Sequence, residues 1–125
     1  MKKLLLVLFI GLSSLAVNAQ QDVETILTSG KWFIESVQEQ GQQPEMSDNK
    51  NDEWIVYHKD GNAEESTFEV LSKSNWSFDK ANKTIKLTGA ETIFYKIIEI
   101  SEEKLIVEQK ETVDASEGLM ITYVK

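Results

Sequence analysis

The chain has 125 residues, a formal charge of −8 at pH 7, one proline, one histidine and no cysteine. Acidic side chains outnumber cationic ones 21 to 13, and no arginine is present, so the surface repels phosphate backbones and anionic lipid heads and argues against nucleic-acid and membrane-surface roles. Without cysteine there are no disulfides, no thiolate metal ligands and no lipid-bearing cysteine, and a hydrophobic core must stabilise the fold alone.

The chain begins with Lys2 and Lys3, an aliphatic run from Leu4 to Leu12, and small residues at Val17-Asn18-Ala19. The run is shorter than the ~20 residues that span a hydrocarbon core, so residues 1–19 read as a cleavable export signal. Residues 20–125 then form one domain in the periplasm or the extracellular medium. No later segment is apolar enough to span a membrane as a helix.

Gln21 to Thr28 predicts a short helical turn, with Val23, Ile26 and Leu27 on one side, ended by Ser29-Gly30. From Lys31 the apolar period drops to two. Eight strands are expected: Lys31–Gln38, Glu53–His58, Glu65–Val70, Asn75–Phe78, Lys83–Leu87, Thr92–Glu99, Lys104–Lys110 and Leu119–Val124. Lys59-Asp60-Gly61-Asn62, Asp79-Lys80-Ala81-Asn82 and Ser101-Glu102-Glu103 are the turn signals between them. Connections this short exclude parallel crossovers, so the sheet is antiparallel. Gln40 to Asp52 is long for a connection in a compact domain, contains Pro44, and marks a lid or binding loop. A second polar loop runs from Glu111 to Gly118.

Alternation assigns an aromatic inner face. Ile55, Tyr57, Phe68, Val70, Trp76, Phe78, Ile85, Leu87, Tyr95, Ile97, Leu105, Val107, Leu119, Ile121 and Tyr123 are expected inside, and Trp54, Val56 and Ile106 outside. The expected fold is all-β: an eight-stranded antiparallel up-and-down barrel behind a short N-terminal helical turn.

Several short motifs carry a resemblance. Gly30-Lys31-Trp32 opens the first strand as a Gly-X-Trp signature, and Tyr57-His58-Lys59-Asp60-Gly61, Trp76-Ser77-Phe78, Leu105-Ile106-Val107 and Thr122-Tyr123-Val124-Lys125 follow the same pattern. The chain resembles the lipocalin-like proteins of the calycin group, in particular the small secreted versions common in Bacteroidetes-type bacteria. The resemblance implies a lipocalin-like barrel in which Gly30 and Trp32 close the base. In the family an arginine packs over that tryptophan; here Lys125 is the only basic group placed to substitute. The Thr-Asp-Tyr signature, the disulfide and the C-terminal helix of larger lipocalins are absent.

The residue inventory favours binding over catalysis. His58, the single histidine, is expected at a strand end facing away from the interior, and no nucleophile elbow accompanies it. Asp48 to Glu53 is superficially like a calcium loop, yet Lys50 stands where an oxygen ligand is needed and Glu53 where the turn glycine belongs, so no metal and no cofactor is expected. Glu64-Glu65 and Glu102-Glu103 read as solvated charges beside turns. Tyr57, Phe68, Trp76, Phe78, Tyr95, Ile97 and Tyr123 are the candidate ligand-binding residues, since an eight-stranded barrel either fills with side chains or holds one small ligand. Two non-enzymatic readings stay open: a barrel binding a small hydrophobic or amphipathic ligand beneath the Gln40–Asp52 connection, or an interaction or inhibitor module docking a protein partner through that loop and Trp54, Val56 and Ile106.

Overall fold

The computed structural model describes residues 23–47, 52–112 and 118–125. The expected export signal, the calcium-like stretch from Asp48 to Asn51 and most of the Glu111–Gly118 loop lie outside the described residues. One helical turn, α1 (Val23–Leu27), precedes nine strands: β1 (Lys31–Gln38), β2 (Glu45–Met46), β3 (Trp54–Tyr57), β4 (Asn62–Thr67), β5 (Val70–Asp79), β6 (Thr84–Thr88), β7 (Thr92–Ile100), β8 (Lys104–Lys110) and β9 (Leu119–Val124). Every pairing is antiparallel, each strand from β3 onward pairs with its chain neighbour, and β1 pairs with both β3 and β9. Eight strands therefore close an up-and-down barrel, as the alternation predicts. The two-residue β2 is an addition, folding out of the long first connection to pair with Ser36 and Val37 of β1.

Local chemistry sets the hairpins at one end. Asp60 accepts bonds from the Asn62 N–H and side-chain amide, while Gly61 takes φ of 95°, so the chain reverses between His58 and Asn62. Asp79 does the same for Ala81 and Asn82. These bonds favour the ionised carboxylates, so both Asp60 and Asp79 hold their protons less tightly than an ordinary aspartate. Ser101 caps the third turn by accepting from the Glu103 and Lys104 N–H groups. Register shifts at Glu35 in β1 and Ile98 in β7 are bulges, which bend strands and help a sheet close on itself.

That same end carries the plug. Trp32 is fully buried, donates its indole N–H to the Leu27 carbonyl at 3.1 Å, and lies under the Lys125 ammonium, 4.5 Å from the ring. Lys125 thus takes the place expected for the missing arginine, and its Nζ also bonds the Ser29 hydroxyl. A Cβ at Gly30 would meet the Lys125 Cδ at an ordinary contact distance of 4.0 Å, so the position does not need glycine for space.

One strand boundary differs from expectation and moves several residues. The third strand is not Glu65–Val70. β4 ends at Thr67, Phe68 and Glu69 form a two-residue turn with φ of 52° and 66°, and β5 starts at Val70. Phe68 is 82% exposed and Val70 66%, so neither fills the barrel. Positive φ at both central positions is the geometry of a type I′ hairpin, normally reserved for Asn-Gly or Asp-Gly. The flanking pairs Thr67↔Val70 and Ser66↔Leu71 impose it here on a bulky pair.

Candidate functional site

The two barrel ends differ in what they leave open. α1, Trp32, Lys125 and the three capped turns occupy the closed end. The opposite end carries the connection between β1 and β3, the Phe68–Glu69 turn and the loop before β9.

Two clefts of about 490 Å³ each lie at this open end, on either side of β2, and share Val37 and Glu45. The first is floored by Ile34 and Val37. Both face inward, because antiparallel partners share a face and these pair with the buried Tyr123 and Ile121. Met46, Ser47 and Glu45 form one wall, Phe68 and Glu69 the other, and Asp52 and Glu53 complete the rim. The long connection is pinned over this space: Ser47 N–H donates to the Glu35 carbonyl at 2.9 Å, its hydroxyl donates to Glu53 Oε1 at 3.0 Å, and the Ser66 hydroxyl donates to the Asp52 carbonyl at 2.9 Å. The second cleft is bounded by Glu39, Gln42, Gln43, Pro44 and Leu119. Both are apolar at the floor and acidic at the edge.

The sequence-predicted residues separate into two groups. Tyr57, Tyr95, Ile97 and Tyr123 lie inside the barrel, at most 8% exposed. Trp76 and Phe78 are half-buried against the same core. Trp76 meets Tyr57 edge-on, with ring centroids 5.3 Å apart, and donates its indole N–H to the His58 carbonyl at 2.7 Å. Phe68 stands apart from these, at the mouth. The tyrosines do not line the open-end clefts. Trp54 and Val56 face outward and are half-buried, with the Lys31 ammonium 4.1 Å over the Trp54 ring.

Alternation read from the wrong boundary hides one residue. Glu65 pairs with Ile55, which is 1% exposed, and follows the inward-facing Ala63, so its carboxylate shares the inner face of β4. Burial raises its affinity for a proton above that of an ordinary glutamate. Tyr57, Tyr95 and Tyr123 are likewise pushed up, first by burial and then by charge around them that includes Glu65, so all three keep their O–H groups at neutral pH. Among the described residues the Ser74 hydroxyl is buried without a hydrogen-bond partner. The signal for Glu65 was the Asp60-Gly61 turn: a reversal closed between His58 and Asn62 places Tyr57 opposite Ala63 and Ile55 opposite Glu65.

His58 is exposed, with Nε2 3.7 Å from Glu64 Oε1 on the outer surface. Among the described residues no three His, Asp or Glu side chains converge as a metal site, and no helix is long and apolar enough to cross a membrane. Compared with known proteins, the chain matches no protein-family model, and a search of curated proteins finds no significant match.

Proposed function

We propose that this is an exported, lipocalin-like, non-catalytic binding protein that takes a small amphipathic ligand at the open end of its barrel. The observation that carries the reading is the cleft of about 490 Å³ with inward-facing Ile34 and Val37 at its floor, beneath the connection between β1 and β3. A volume of this order suits a small organic ligand, with apolar floor residues supplying burial and a few polar groups fixing orientation. The lysine-led apolar run before Ala19 supports export. Docking of a protein partner through Trp54 and Val56 is less well supported, because both are half-buried and Lys31 covers the Trp54 ring.

Titration calorimetry with a panel of medium-chain amphiphiles tests the reading. Binding should saturate at one site and be blocked by Val37→Trp, which fills the cleft floor while the circular dichroism of the barrel is retained. No heat from any apolar or amphipathic ligand, with the protein folded, would remove it.

A further inference from the structure

We propose a second binding site, at the closed end of the barrel, for a compact hydrophobic carboxylate whose apolar body lies against Phe78, Ile97 and Ile98 and whose head meets the ammonium groups of Lys80 and Lys83. The inference goes beyond the open-end reading above and does not depend on it.

A cleft of about 410 Å³ opens between α1 and the hairpins that join β5 to β6 and β7 to β8. Trp32 and Lys125 do not line it, so the plug leaves this part of the core uncovered. Phe78, Ile97 and Ile100 pair with Ile85, Val107 and Leu105, each at most 1% exposed, and so share the inner face. Val23 of α1 packs on the same core, and with Phe78 and Ile100 it stays only partly buried. The bulge between Ile97 and Glu99 adds Ile98, which is 50% exposed, to the lining. A volume of this order suits a small organic ligand, and burial of its apolar body supplies the affinity.

Charge selects the head group. Lys80 and Lys83 line the cleft against one carboxylate, Glu99, which pairs with the outward-facing Ile106. The two open-end clefts are lined by carboxylates without a cation among the described residues, so in a chain at −8 this lining is reversed in sign. Neither lysine has a carboxylate within ion-pair distance among the described residues. Lys83 also holds φ of 52°, a conformation that glycine or asparagine accepts more readily. Its carbonyl accepts the Ile97 N–H at 2.8 Å, which ties the lysine turn to the start of the bulge. An anion at this edge keeps contact with water, so it loses little hydration while its body is buried. An ammonium of the same shape would meet two like charges, and a neutral alcohol would gain nothing from them.

Amide shift titrations by NMR near neutral pH with 4-phenylbutyrate, 4-phenylbutylammonium and 4-phenylbutanol, matched in body and different in head charge, test the proposal. 4-Phenylbutyrate should bind most tightly and move the amides of Phe78, Lys83, Ile97 and Ile98. Lys80→Gln and Lys83→Gln should each weaken it by about two- to fivefold, the range for an exposed ion pair, and leave 4-phenylbutanol unchanged. Lys86→Gln, the same charge change at an exposed position of β6, should leave it unaltered. Ile98→Glu, at a half-exposed position, should abolish binding with the circular dichroism of the barrel retained. Val37→Trp, which fills the open-end cleft, should leave 4-phenylbutyrate binding in place. Equal affinity for the three heads, equal losses from Lys83→Gln and Lys86→Gln, shifts confined to the open end, or loss of binding in Val37→Trp would overturn the proposal. So would self-association abolished by Ile98→Glu, which would assign the cleft to a second copy of the chain. Failure of all three compounds to bind the folded protein removes this site and leaves the open-end reading to its own test.

Discussion

The closed and open ends of this barrel are built from the same strands and solve opposite problems. At the closed end the turns bond themselves: Asp60 and Asp79 bind their own turns, Ser101 caps its hairpin, and Trp32 is held between the Leu27 carbonyl and the Lys125 ammonium. At the open end Phe68 and Glu69 sit at positive φ, Met46, Phe68, Val70 and Leu71 are exposed, and carboxylates face a cleft without cations among the described residues. Satisfied, packed groups fix the fold at one end, while at the other two adjacent non-glycine residues at positive φ and carboxylates without cations border the proposed ligand cleft.

Substitutions at the two ends should accordingly have effects of different size and kind. Trp32→Ala should have the largest, removing about 3–5 kcal/mol of stability as a deleted buried ring does, read by urea denaturation. A loss below about 1 kcal/mol would show that the plug is not structural. Phe68→Gly should act in the opposite direction, stabilising by about 1 kcal/mol because glycine accepts the positive φ without strain, while weakening ligand affinity through the lost cleft wall. Lys125→Met keeps the stem and removes the charge over Trp32; it should cost about 0.5–1 kcal/mol in the same denaturation assay.

Glu65 sharpens the contrast through pH. Its proton affinity is raised by folding, so the folded chain binds the proton more tightly than the unfolded one. That contribution to stability is full below the ordinary glutamate range and fades as pH rises through the elevated folded value. Glu65→Gln should therefore raise the melting temperature at neutral pH and flatten its decline as pH rises above the ordinary glutamate range. The lowered proton affinities of Asp60 and Asp79 work with the reverse sign, their contribution being lost on acidification below the ordinary aspartate range, so the two effects occupy different windows. A melting profile unchanged by Glu65→Gln would place that side chain in water.

Legibility followed locality. Strands β1, β8 and β9 were read from alternation with their ends in place, and so were the turns at Asp60-Gly61 and Asp79–Asn82, because each is specified by side chains that bond their own backbone. The contact of Lys125 with Trp32 was expected from the lipocalin-like resemblance, in which a basic group packs over that tryptophan. The Phe68–Glu69 turn was not, because neither residue favours positive φ and nothing local marks a reversal there. β2 is too short to show a period.

By itself the sequence determined an antiparallel barrel with an aromatic interior, because a period of two and self-bonding turns act within a few residues; the tryptophan at its base was implied by the lipocalin-like resemblance. Only the tertiary structure decided where the chain reverses between β4 and β5, and with it that Phe68 and Val70 leave the interior. The pairing of β4 with β3 and of β5 with β6 fixes both registers from outside the segment, and a phase error of one residue exchanges the two faces of a strand, turning a surface charge into an interior one.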